Sequence, residues 1–385
     1  MNDAASAPGC LEGGIQICGS NDLVVEQAKQ RFGAHISELD LARFVVVTSF
    51  QQDGVSSVSF NIRPSEAEEI APQGDTTQLC ERFNLDTQRC RKDLEREIVL
   101  AMLLCPDTFR FPSYDEFAAA VRVRMNIVEA ARKTRLVFQA YEAERPEQYW
   151  KYDEDRGFVL LPGQPLVEAL MAATQPEVSG KKYTFSCRRA VEHVVLLSLA
   201  KETEANHSEL FAKLRRQAES RALKGGEFER TFLRVIGSVD KPLPLKYFVP
   251  GDRTWFRNPD RDSAEVTGYE GSWTFYVGGG RFTDFWKREE GFTLTTKCLS
   301  IYYWRQATYR DEAGELQMDE ARVEALLADA MNDPVETDRV LREMLRHQAP
   351  LGTFAGGCVE ATREYPRQIC RGTSDLLLPD VDSRN

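Results

Sequence analysis

The segment Ala190-Val-Glu-His-Val-Val-Leu-Leu-Ser-Leu-Ala200 constrains this chain more than any other. Its apolar positions (Ala190, Val191, Val194, Val195, Leu197 and Leu199) recur at helical spacing and cover nearly the whole circumference. A helix with no solvated face has to lie in the centre of a domain. Just before it, Tyr183-Thr-Phe-Ser-Cys187 is a short aromatic strand signal, so Cys187 falls at the start of the helix. Unpaired backbone N–H groups and the helix macrodipole there favour a thiolate, the nucleophilic form of cysteine. The other cysteines of the nine lack this setting.

Around this helix the chain divides into three parts. Residues 1–35 are weakly periodic and are expected to pack loosely; Phe44–Phe50 and Val55–Ile62, joined through Gln51-Gln-Asp-Gly54, read as a hairpin. Residues 1–106 are therefore taken as an N-terminal extension with a β-hairpin. The next part, 107–310, follows a helical segment (Arg91 to Leu104). It begins with a capping-box pattern, Ser113 and Glu116, ahead of a long helix. After the Cys187 helix comes another from about Ser208 to Leu223. From 230 to 305 the pattern turns to strands: Phe232–Ile236, Leu245–Val249, Thr254–Arg257, Ser272–Val277 and Phe292–Tyr303. Two helices (318–331 and 335–347), broken at Pro334, give residues 311–385 the character of a C-terminal helical extension. Helices first and strands later predict an α+β fold, with the nucleophile helix packed on an antiparallel sheet.

Composition removes several function classes. The formal net charge of −11 argues against a general nucleic-acid binder. No stretch approaches the ~20 apolar residues of a membrane span. The start lacks the charged and apolar regions of a secretory signal, so cytoplasmic synthesis is expected, with signal-free export left open. Cys10 and Cys18, Cys80 and Cys90, and Cys358 and Cys370 form three loose pairs, read as reduced thiols, with local disulfides as the minority alternative. With no C-x-x-C and four scattered histidines, no metal site is expected. Gly278-Gly-Gly280 leads into another extended piece and not a helix, which leaves a nucleotide loop without support.

Helix first, then sheet, with cysteine at the helix start, is the order of papain-like cysteine enzymes, in which adjoining strands supply a base and its orienting group. Residues 245–305 contain no histidine, which leaves carboxylates, among them Glu270 and Asp284. A carboxylate serves only if burial raises its pKa, because an ordinary aspartate is too acidic to deprotonate a thiol well.

Several segments together resemble one family. They are Val123-Arg-Met-Asn-Ile-Val-Glu-Ala-Ala131, Tyr149-Trp150, Tyr183-Thr-Phe-Ser-Cys187, Tyr247-Phe-Val-Pro-Gly-Asp252 and Trp255-Phe-Arg-Asn-Pro259, then Gly271-Ser-Trp-Thr-Phe-Tyr-Val-Gly278, Arg281-Phe-Thr-Asp284 and Gln306-Ala-Thr308. In order and spacing, across roughly 107–310, they resemble the small protein-glutamine γ-glutamyltransferases (transglutaminases) of spore-forming bacteria. The resemblance implies a papain-like core whose cysteine forms a thioester with a protein glutamine, releasing ammonia. A lysine amine then attacks to leave an isopeptide cross-link, without calcium or another cofactor. It places the nucleophile at Cys187. The glutamate that precedes the family's cysteine is Ser186 here. The family's strand glutamate falls on Ser272, unless a shift of one or two residues lets Glu270 serve, and its histidine falls on Asp284.

The expectation is thus a cysteine acyltransferase with Cys187 as nucleophile and Asp284 or Glu270 as base or orienter. Its partners would be protein substrates carrying glutamine and lysine side chains. Two alternatives stand beside it: an effector-like deamidase or cysteine protease on the same fold, and a catalytically silent protein-binding module. The oligomeric state is not legible in the sequence.

Overall fold

The apolar helix forms as expected, running Cys187–Asn206, and Val191, Val194, Val195, Leu197 and Leu199 are all fully buried. In this computed structural model, which describes residues 12–52, 54–139, 143–350 and 352–379, it packs against the helices Tyr114–Lys133 and Leu166–Thr174 and the strand Gly271–Phe275. Each buried Val or Leu contributes about 1.5–3 kcal/mol. That burial compensates for a helix with almost no polar face.

The whole is a mixed α+β fold with several sheets. The sheet beside the Cys187 helix has four antiparallel strands in the order Gly271–Phe275, Arg253–Arg257, Arg363–Pro366, Leu233–Ile236. Its third strand comes from the far end of the chain, so the C-terminal region contributes to the central sheet as well as supplying helices. A second sheet orders Val45–Gln52, Val55–Ile62, Gly14–Gly19 and Thr108–Phe111, the last pair parallel.

Three expectations are corrected. Within residues 1–35, Gly14–Gly19 is an interior strand, and Asp22–Glu38 is a helix that buries Val25, Ala28, Phe32 and Ile36. That spacing is helical, and Asn21 caps the helix through Val24 N–H. Of the expected strand Phe292–Tyr303 only Phe292–Thr293 is extended: Leu294–Ala307 is a helix, opened by a reciprocal Thr293/Thr296 capping box. Ile301, Tyr302, Tyr303 and Trp304 have high strand propensity, but burial on all sides overrides it. Leu245–Val249 is non-strand chain between Pro244 and Pro250, with Tyr247, Phe248 and Val249 buried. Cys358 lies against Cys298 (Sγ–Sγ 3.6 Å), and the eight described cysteines are free thiols. Cys10 and Asp53 lie outside the described residues.

Ser113 caps the helix Tyr114–Lys133 by accepting from Glu116 N–H at 3.1 Å. The Glu116 carboxylate does not return the bond; it accepts instead from Cys370 N–H (2.9 Å) and Thr373 Oγ1 (2.8 Å), fastening the tail. About two turns further on, buried Arg124 donates to Asp252 Oδ1 at 2.7 Å, and Asp252 Oδ2 accepts from Val249 N–H at 2.7 Å. This ion pair locks the helix to the turn that feeds the central sheet. Removing one partner strands a buried charge, which costs about 3–5 kcal/mol. Arg124→Met is therefore expected to lower the unfolding free energy by about that amount in a urea titration. A loss below about 1 kcal/mol would contradict this role for the pair.

Candidate active site

Ser186 occupies the N-cap of the Cys187 helix in an extended conformation, and its hydroxyl faces Arg189 N–H at 3.5 Å. Cys187 is therefore the first helical residue, where the backbone donors are unpaired. Two opposing effects act on its thiol. Burial pushes its pKa up, while the backbone N–H groups of Trp273 and Arg188 and the positive charge of Lys297 favour the thiolate; the charge of Glu270 opposes it. Burial wins, so the resting form is the thiol.

The sulfur opens into a cavity of about 150 Å³, shared with Ser272, Trp273, Asp284 and Lys297 and walled by Trp286 and Trp304. Trp273 follows Ser272 on the edge strand Gly271–Phe275. Consecutive residues of that strand thus bring an N–H to the sulfur and a hydroxyl to the lysine. Lys297 Nζ donates to Ser272 Oγ at 2.8 Å and lies 4.2 Å from the centre of the Phe292 ring. It is buried (5% exposed) on the helix Leu294–Ala307. Burial draws its pKa down to about 8, against the pull of Asp284 and Cys187.

Asp284 is buried in the same cavity, but its oxygens are occupied. Oδ1 accepts from Trp286 N–H (2.9 Å) and Lys287 N–H (3.2 Å), and Oδ2 from Arg288 N–H (3.2 Å). It organises the 284–288 turn and presents a negative charge to Lys297. Glu270 is exposed, and its backbone carbonyl accepts from Asn258 N–H at 3.0 Å. Arg188 pairs with Glu229 (2.7 Å) and Arg189 with Glu192. His193 is half-buried on the other side of the helix, within reach of Arg145 Nε at 3.3 Å, and desolvation holds it far below its ordinary pKa.

Lys297 is the residue that sequence reading missed. The strand expected over Phe292–Tyr303 hid it, whereas the Thr293-x-x-Thr296 pattern marks a helix start that would have carried it inward. The C-terminal helix Glu320–Met331 adds Glu320, Val323 and Glu324 to the cavity wall, tied by the ion pairs Lys287–Glu320 and Arg288–Glu324. Among the described residues no group of three His, Cys, Asp or Glu is arranged to hold a metal ion, and no helix is long and apolar enough to cross a membrane.

A family profile described as protein-glutamine gamma-glutamyltransferase matches residues 75–350, most of the chain. Among solved structures, the transglutaminase from Geobacillus stearothermophilus (without C-terminal extension) is similar, with 22% identity and a TM-score of 0.39, over 56% of this chain and 98% of that one. No curated protein sequence matches.

Asp284→Ala leaves three backbone N–H groups without their acceptor, each costing about 1–3 kcal/mol if it stays dry. The expected result is a loss of about 2 kcal/mol in chemical denaturation, with the 284–288 amides exchanging faster with deuterium. Unchanged exchange there would count against Asp284 as the organiser of the turn.

Proposed function

The chain belongs to the protein-glutamine γ-glutamyltransferase family, and on that premise we propose that it is a cysteine acyltransferase with Cys187 as its nucleophile. The sulfur attacks the carboxamide carbon of a protein glutamine, ammonia leaves, and a thioester remains. A lysine amine then takes the acyl group as an isopeptide; water in its place gives deamidation. The reading includes a papain-like core in 107–310. The extensions 1–106 and 311–385 frame it, the latter by way of the helix Glu320–Met331 beside the cavity.

The observation that carries this reading is the setting of Cys187. It starts a buried helix, two backbone N–H groups favour its thiolate, and it opens into a cavity that also holds a buried lysine and a buried carboxylate. Donors fixed at the sulfur are suited to charge that develops as the bond forms, since they need no reorganisation. Trp273, Trp286 and Trp304 offer flat apolar walls for the stem of a glutamine side chain. In this reading Asp284 is an orienter that acts through Lys297, and Glu270 modulates Cys187 from the surface.

A second reading, a silent protein-binding member of the family, draws on the net upward push on the Cys187 thiol. One assay separates the two. Wild-type protein is expected to incorporate a labelled primary amine into a glutamine-bearing acceptor and release ammonia, while Cys187→Ala falls to background. Equal signals from the two proteins would remove the enzyme reading.

A further inference from the structure

We propose that Lys297 is the proton partner of Cys187: its neutral amine receives the thiol proton, and its ammonium returns a proton to the departing group. The inference deepens the acyltransferase reading and rests on it for the second half of that statement.

Geometry is the first support. Lys297 is nearly inaccessible, on a helix whose other buried positions include Leu294, Leu299 and Ile301. A lysine there is costly unless its charge is held or can be given up. Its Nζ is fixed at 2.8 Å from Ser272 Oγ, one residue along the strand from the Trp273 N–H that favours the thiolate of Cys187. The two groups share one cavity, and each acts electrostatically on the other's titration. Phe292 closes over the amine at 4.2 Å.

Competing bases are less well placed. Asp284 spends both oxygens on three backbone N–H groups, and Glu270 faces solvent. The charged and titratable groups acting on Lys297 are Asp284, Cys187 and Cys358, which favour the ammonium, and Arg288, which opposes it. Lys287, Glu320 and Glu324 also line the cavity, Lys287 and Glu320 paired to each other and Glu324 to Arg288. Burial dominates and brings the amine to about 8, close to neutral pH, where a general base works best.

Protons and bonds balance. In acylation the S–H proton moves to Nζ, the S–C bond forms and the C–N bond breaks, and the amide nitrogen leaves as ammonia with the proton from Nζ. In the second half the acceptor amine forms the new C–N bond and gives its proton to Nζ. The C–S bond breaks, and that proton restores the thiol. Lys297 ends each half as it began.

Two readouts test this: the pH profile of amine incorporation, and the rate at which iodoacetamide alkylates Cys187, followed by peptide mass spectrometry. In the wild type, incorporation should rise through pH of about 8, as the amine is freed of its proton. Lys297→Met should lower incorporation by about 10²-fold or more and move the rising limb of both profiles to higher pH. Lys297→Arg keeps a cation beside the sulfur but cannot accept a proton, so alkylation should persist while incorporation falls as far. This variant decides the matter if Lys297→Met does not fold. Either variant incorporating amine with the wild-type rate and profile overturns the proposal. If the wild type incorporates no amine, yet Lys297→Met still shifts the alkylation limb, the pairing stands and the acyltransferase reading falls.

Discussion

Everything at the site depends on the burial of one helix. Because Val191, Val194, Val195, Leu197 and Leu199 have no water to face, helices must enclose the Cys187 helix on one side and the edge strand Gly271–Phe275 on another. Its N-terminus is thereby pressed against that strand, and Cys187, at the first helical position, meets the Trp273 N–H. Burial that stabilises the fold also desolvates the thiol and pushes it up. The site therefore needs compensating donors and charge, and the surroundings supply both.

Those compensations come from distant parts of the chain. Lys297 arrives on a helix that starts at a threonine capping box, and Asp284 is pinned by its own turn. The C-terminal region closes the arrangement twice, with Arg363–Pro366 inside the central sheet and Glu320 and Glu324 at the cavity wall. The charge of Asp284 acts on Lys297, and that of Lys297 acts on Cys187, so a change at the lysine is felt at the sulfur.

Much of this was legible in the sequence, for identifiable reasons. Helical spacing placed the Cys187 and Tyr114–Lys133 helices, and the Val45–Gln52/Val55–Ile62 hairpin followed from β-rich runs around a turn signal. Strand propensity misled at Phe292–Tyr303, where aromatic residues pack around a buried helix, and that error concealed Lys297. The tail strand could not be foreseen from local pattern, since Arg363–Pro366 pairs with residues more than a hundred positions away. Asp284 drew notice as a carboxylate near the expected strands, but its engagement with three amides depends on a turn visible only in three dimensions.

The central claim is that Cys187 takes up an acyl group from glutamine. Its most direct test is intact-mass and peptide-mass analysis of protein mixed with a glutamine-bearing peptide, without an amine acceptor, and quenched in acid. The account predicts an adduct on Cys187 equal to the peptide less ammonia, lost on Cys187→Ala and released by added amine. No adduct, or one carried by another residue, would contradict it.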